Sequence, residues 1–189
     1  RRVGVVVDLN GWELRQERLD VLRLGHHREH GARVGQPQLV HQLAAARDES
    51  LRGALVISLG ILRDIESAKL VTDLVEKESS PDLLAHCMWY FALTRNRAAV
   101  PLMEKTLLAA RTPELQAAAA VSLGLIGSVD SIPVLVKLLS ESGTIAVKGA
   151  VATALGRMGD RRAFEPLVKV IENPSEQELT RAFSVVALG

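Results

Sequence analysis

Residues Ala117–Gly127, AAAAVSLGLIG, read as a small-residue helix that ends in a Leu-Gly marker. The marker returns at Leu59-Gly60, Leu155-Gly156 and Leu188-Gly189, and Phe91-Ala92 fills the missing place. Gly60 to Ala92, Ala92 to Gly124 and Gly124 to Gly156 are each 32 residues apart, and Gly156 to Gly189 is 33. A period this regular means stacked copies of one supersecondary unit, none able to bury its apolar face alone. The expected fold is an all-α solenoid, a superhelix of antiparallel helix pairs.

Each copy reads as a first helix, a tight turn and a second helix. First helices are expected near 50–62, 81–94, 113–126, 145–158 and 176–188, second helices near 65–78, 97–110, 130–141 and 162–172. Seven residues before the marker stand Gly53, Ala85, Ala117, Gly149 and Ala182, all small, as close helix approach requires. Three residues after it come Arg63, Arg95, Gly127 and Gly159, and a glycine there can close a helix in the left-handed conformation. Asp64, Asn96, Ser128 and Asp160 follow as N-caps for the second helices, with Pro101, Pro133 and Pro166 in the first turn. Ser80-Pro81 and Thr112-Pro113 cap first helices, and Ser175 with Glu178 forms a capping-box pattern before the last.

Upstream, residues 1–11 hold a short Val run that pairs with nothing and stay unassigned as a tail. Residues 12–47 read as a degenerate first repeat, with Pro37 opening its second helix, and 48–189 as the array. The chain starts at Arg1 and stops at Gly189 halfway through a repeat, so it reads as a fragment whose last repeat is cut short. The apolar end left at Gly189 predicts self-association.

Hydrophobic residues make up 48% of the chain but aromatics only 3%, which suits closely packed helices. Twenty-three Lys+Arg against 22 Asp+Glu leave a formal charge of +1, no footprint for nucleic acid or an anionic membrane. No apolar run approaches the ~20 residues that span a bilayer. One cysteine, Cys87, permits a reducing compartment, and a cytoplasmic location is expected.

Small-residue helix, Leu-Gly, Gly-Asp turn and Pro-Leu opening the next helix resemble the HEAT repeat family, most closely its short PBS-lyase HEAT-like variety. VATALGRMGDRRAFEPL (151–167) and AAVSLGLIGSVDSIPVL (119–135) carry the resemblance, which covers about residues 48–189. It implies a non-enzymatic scaffold that binds another protein on a concave face lined by the second helices. It also admits, as the alternative, a subunit of a bilin-lyase-type enzyme that attaches a chromophore to a partner protein. Diiron HEAT hydroxylases need His-Glu pairs, and this sequence contains none.

No catalytic residue, metal or cofactor is expected. His26, His27 and His30 form the single histidine cluster, but flanking Gly25 and Gly31 make it a solvated loop. The copy at 81–110 departs from its siblings, with His86 and the run Trp89-Tyr90-Phe91. Trp89 is expected in the core and Tyr90 as an exposed aromatic anchor. On the second helices Lys105 and Lys137, 32 apart, form a short ladder with Lys169 nearby and Glu104 interleaved. Tyr90, Glu104, Lys105, Lys137 and Lys169 are therefore the candidate partner-binding residues.

Overall fold

The computed structural model describes residues 32–189, with side chains described from Gln36 onward. Among these residues there are ten α-helices and no strand. They are α1 (Ala32–Ala45), α2 (Glu49–Ile61), α3 (Ala68–Lys77), α4 (Pro81–Leu93), α5 (Val100–Ala109), α6 (Pro113–Ile126), α7 (Ile132–Glu141), α8 (Ile145–Met158), α9 (Phe164–Glu172) and α10 (Glu178–Leu188). The expected helix boundaries hold to within a few residues. The readings for residues 1–11, for the upstream part of the degenerate repeat and for the His26–His30 cluster lie outside the described residues.

Local chemistry explains the starts and stops. Side chains of Asp48, Ser80, Thr112 and Thr144 each accept the amide three residues on, from Leu51, Leu83, Leu115 and Val147. Residues 63, 95, 127 and 159 all adopt positive φ, at 54°, 52°, 72° and 62°. Asp64 N donates to Leu59 O, Asn96 N to Phe91 O and Ser128 N to Leu123 O, the six-to-one bond of a Schellman closure. Arg63 and Arg95 thus occupy a backbone state that glycine takes without strain.

Several expected caps work differently. Asp160 accepts Arg162 N at 2.9 Å, and Asp64 accepts Ser67 Oγ at 2.6 Å and Glu66 N at 3.2 Å. Asn96 and Ser128 make no side-chain cap bond; a 3-10 turn follows each, and their backbone carbonyls take the amides of Ala99 and Ser131. Ser175 is not a cap either: α10 starts behind Gln177, which makes no side-chain cap bond. Pro37 lies inside α1, whose first residue is Ala32, instead of opening that helix.

The first helices α2, α4, α6, α8 and α10 form one closely packed row, each in broad contact with the next. The approach is tightest at the marker glycines. A methyl group on Gly124 would stand 2.6 Å from Ala154 Cα, and one on Gly156 2.7 Å from Ala187 Cα. At the small column seven residues earlier the neighbours are side chains instead, His86 over Gly53 and Phe183 over Gly149. Leu55, Leu59, Leu123, Leu155 and their like then face the second helices and are fully buried.

Each second helix packs on the first helix that follows it, α3 on α4, α5 on α6, α7 on α8 and α9 on α10, while consecutive second helices scarcely approach one another. The first helices thus form the closely packed row and the second helices the more widely spaced one. α9 is likewise in broad contact with α10.

Candidate partner-binding face

On a helix of 3.6 residues per turn, Ile57 is two residues from both Leu55 and Leu59 and so lies about 160° from each on the wheel. Its side chain therefore faces away from the second helices. Its column, three residues before the marker, reads Ile57, Trp89, Val121, Thr153 and Val186. The column one residue after the marker, on the same stripe, reads Ile61, Leu93, Leu125 and Arg157. In α2, α4 and α6 both positions are large and apolar, which gives a ladder of six side chains in three successive helices. All six stand outside the hydrophobic core, with Ile61 56% and Leu93 38% exposed and the other four half-buried. Six aligned apolar side chains in one register exceed the scattered exposure normal for a folded chain.

The flanks of this ladder carry opposite charge. Toward the helix N-termini, on the same stripe, stand Asp82 and Glu114. An open groove of about 620 Å³ runs there, lined chiefly by Glu49, Glu78, Ser80, Asp82 and Glu114. Within it Glu78 is paired with Arg52 at 2.6 Å and Glu49 accepts the Ser80 hydroxyl, whereas Asp82 and Glu114 make no ion pair among the described residues. Toward the C-termini stand Arg63 and Arg95 on their left-handed turns, with Arg157 in the ladder column of α8; all three are exposed and unpaired among the described residues.

Tyr90 is not an exposed anchor. It is fully buried, its ring meets Phe91 edge-on at 5.5 Å, and its hydroxyl donates to the Asp64 carbonyl in the preceding turn. Burial, with a lesser contribution from the Asp64 charge, raises its pKa. Trp89, expected in the core, is the half-exposed member of the pair. The two readings exchange places because adjacent helical residues point about 100° apart. The columns held the signal: Tyr90 aligns with the buried Ser58, Ser122 and Ala154, and Trp89 with the accessible Ile57, Val121 and Thr153.

The lysine ladder sits on the second helices, which scarcely approach one another. Lys137 pairs with Glu141 at 4.0 Å and Lys169 with Glu165 at 2.8 Å, both exposed contacts along their own helices. Such pairs contribute little and mask the charge they carry. Lys105 is exposed and Glu104 half-buried. His86 does not act with Cys87: its Nδ1 lies 2.7 Å from the Asp82 carbonyl, and Cys87 is buried, its thiol pushed up to about 12 chiefly by that burial. Among the described residues no group of three His, Cys, Asp or Glu could hold a metal ion, and no helix is long and apolar enough to cross a membrane.

The family model for HEAT repeats matches residues 73–144 and again 100–189. The chain belongs to the HEAT repeat family. No curated protein matches it. The second HEAT match opens at Val100, the first residue of α5, so it counts a second helix with the first helix that follows. That is the pairing with the broader contact in this structure. Counted in this way, the Leu-Gly helix stands second in each unit.

Proposed function

We propose that this HEAT array is a non-enzymatic scaffold that binds another protein on its concave face, seated on the ladder of Ile57, Ile61, Trp89, Leu93, Val121 and Leu125. The observation that carries the reading is the ladder itself: six large apolar side chains in 32-residue register, directed away from the core. Trp89 at its centre is the residue type most enriched among interface hot spots. The 32-residue step is similar to the short PBS-lyase variety of the repeat, a likeness of unit and not of activity. No observation among the described residues favours a bilin-lyase role.

The test is capture of a partner by the wild type, by Ile61→Glu/Leu93→Glu and by Lys105→Glu/Lys137→Glu. Both positions in the first variant are exposed, so its stability should stay within roughly 1 kcal/mol of wild type. Binding through it should fall at least about tenfold, and binding through the lysine variant should not change. A partner held equally well by Ile61→Glu/Leu93→Glu would place the interface elsewhere.

A second contact surface fits the self-association expected from the sequence. Val56, Met88, Ala120 and Ala152, four residues before their markers, are fully buried under the next first helix. Val185 in the same column is 54% exposed and neighbouring Val186 78%. The proposed contact between copies uses this end of α10. Sedimentation should show concentration-dependent association of the wild type that Val186→Glu abolishes; a monomer at all concentrations would rule the contact out.

A further inference from the structure

We infer that the ligand of this face is an amphipathic helix laid across the first helices, with basic residues on one flank of its apolar stripe and acidic residues on the other. The inference rests on the scaffold reading and adds the chemistry of the occupant. Across this face the columns run in a fixed order. Carboxylates come first (Asp82, Glu114), then the two apolar columns, then guanidinium groups (Arg63, Arg95). Asp82 to Arg95 spans 13 residues, about 20 Å at 1.5 Å per residue. An α-helix with its side chains is about 10–12 Å wide, and extended Lys and Glu side chains reach the remaining distance on both sides. A single extended chain would leave one charged column uncovered.

The step of the ladder also suits a helix. Closely packed helices lie roughly 8–10 Å apart, and seven residues of helix advance about 10.5 Å. A ligand with an apolar residue in every heptad meets Ile57, Trp89 and Val121 in turn. The same-face side chains of a β-strand recur at about 6.6 Å and fall out of step.

The arginines are the independent sign that the charge order serves a ligand. The C-termini of the first helices favour any nearby cation. That does not require the cation on the one residue with a left-handed backbone, where the α6 and α8 copies carry glycine. Arg63 and Arg95 hold strain there and make no ion pair among the described residues. Strain of this kind collects at binding sites. With acid on one rim and base on the other, the charged flanks of the ligand set the direction in which it lies.

The test uses three synthetic helical peptides of about 20 residues, roughly 30 Å long, with one leucine stripe. One carries Lys on one flank and Glu on the other, one Lys on both, one Glu on both. Each is titrated into the Trp12→Phe protein, in which Trp89 is the sole tryptophan. The mixed-flank peptide should shift Trp89 emission to the blue and bind roughly fivefold or more tightly than either of the others at low salt. In Arg63→Gly/Arg95→Gly that advantage over the all-Lys peptide should vanish while the melting temperature rises, a combination that a purely structural role for the arginines does not produce. Three equal affinities, an unchanged ranking in the arginine variant, or no binding by any peptide overturns the inference. If Trp89 responds but flank charge is irrelevant, this inference alone fails. If peptides bind without a Trp89 response, the ladder fails with it.

Discussion

Gly124→Ala should destabilise the array by about 2 kcal/mol, although alanine is the better helix former by up to ~1 kcal/mol. The added methyl would stand 2.6 Å from Ala154 Cα and 2.8 Å from its Cβ. Backbone cannot swing aside, so α6 and α8 must separate, and the loss of packing along their contact outweighs the gain in propensity. Gly156→Ala, facing Ala187 Cα at 2.7 Å, should behave alike. Gly149→Ala is the control. Its methyl meets the ring of Phe183 at 2.8 Å, and that side chain is 37% exposed and free to rotate outward. Its cost should be within about 0.5 kcal/mol of zero, since the propensity gain offsets a flexible contact. Urea denaturation of the three variants gives the comparison. Equal stability of Gly124→Ala and wild type would mean that the first helices are not in backbone contact.

Tyr90→Ala should cost about 3–5 kcal/mol, the range for removing a buried aromatic side chain. Tyr90→Phe should cost only about 1 kcal/mol, because it keeps the ring and gives up one hydrogen bond to the Asp64 carbonyl. The siblings of this column are Ser58, Ser122 and Ala154, which makes a small residue look acceptable in an alignment of the repeats. The structure argues otherwise. The Tyr90 ring packs into the core and its hydroxyl ties α4 to the turn between α2 and α3. Alanine leaves that volume empty, and the surrounding helices are held by contacts they share with other neighbours. Thermal or urea unfolding settles it, and a Tyr90→Ala protein within 1 kcal/mol of wild type would return Tyr90 to the surface.

The periodic features of this protein were legible because they depend on near neighbours in sequence. Leu-Gly recurrence gave the repeat, and Ser80-Pro81 and Thr112-Pro113 gave helix starts, since a cap and the amide it serves are three residues apart. The left-handed turn was read correctly at Gly127 and Gly159. At Arg63 and Arg95 it was visible only through their shared column, because residue type argues against it. Asn96 and Ser128 serve the next turn through their backbone carbonyls and not their side chains.

The candidate site was less legible. Composition and spacing announced an unusual helix at 81–93 but not which way its aromatics point. Trp89 and Tyr90 differ by one residue, and a phase error of 100° exchanges core and surface. The lysines of α5, α7 and α9 stand out in the sequence because their charges recur, whereas Trp89 reads as a core residue there and is accessible in the structure.

By itself, then, the sequence determined a helical array with a period of about 32 residues, its turns, and the small residues that let helices approach. Those follow from backbone propensity and local hydrogen bonding. Only the tertiary structure decided which row of helices is closely packed, that α3, α5, α7 and α9 each pair forward, and that Trp89, not Tyr90, is the accessible one of the two. These depend on distances between helices some 30 residues apart in the chain. Such distances are set by how closely Gly124 and Gly156 allow two backbones to meet.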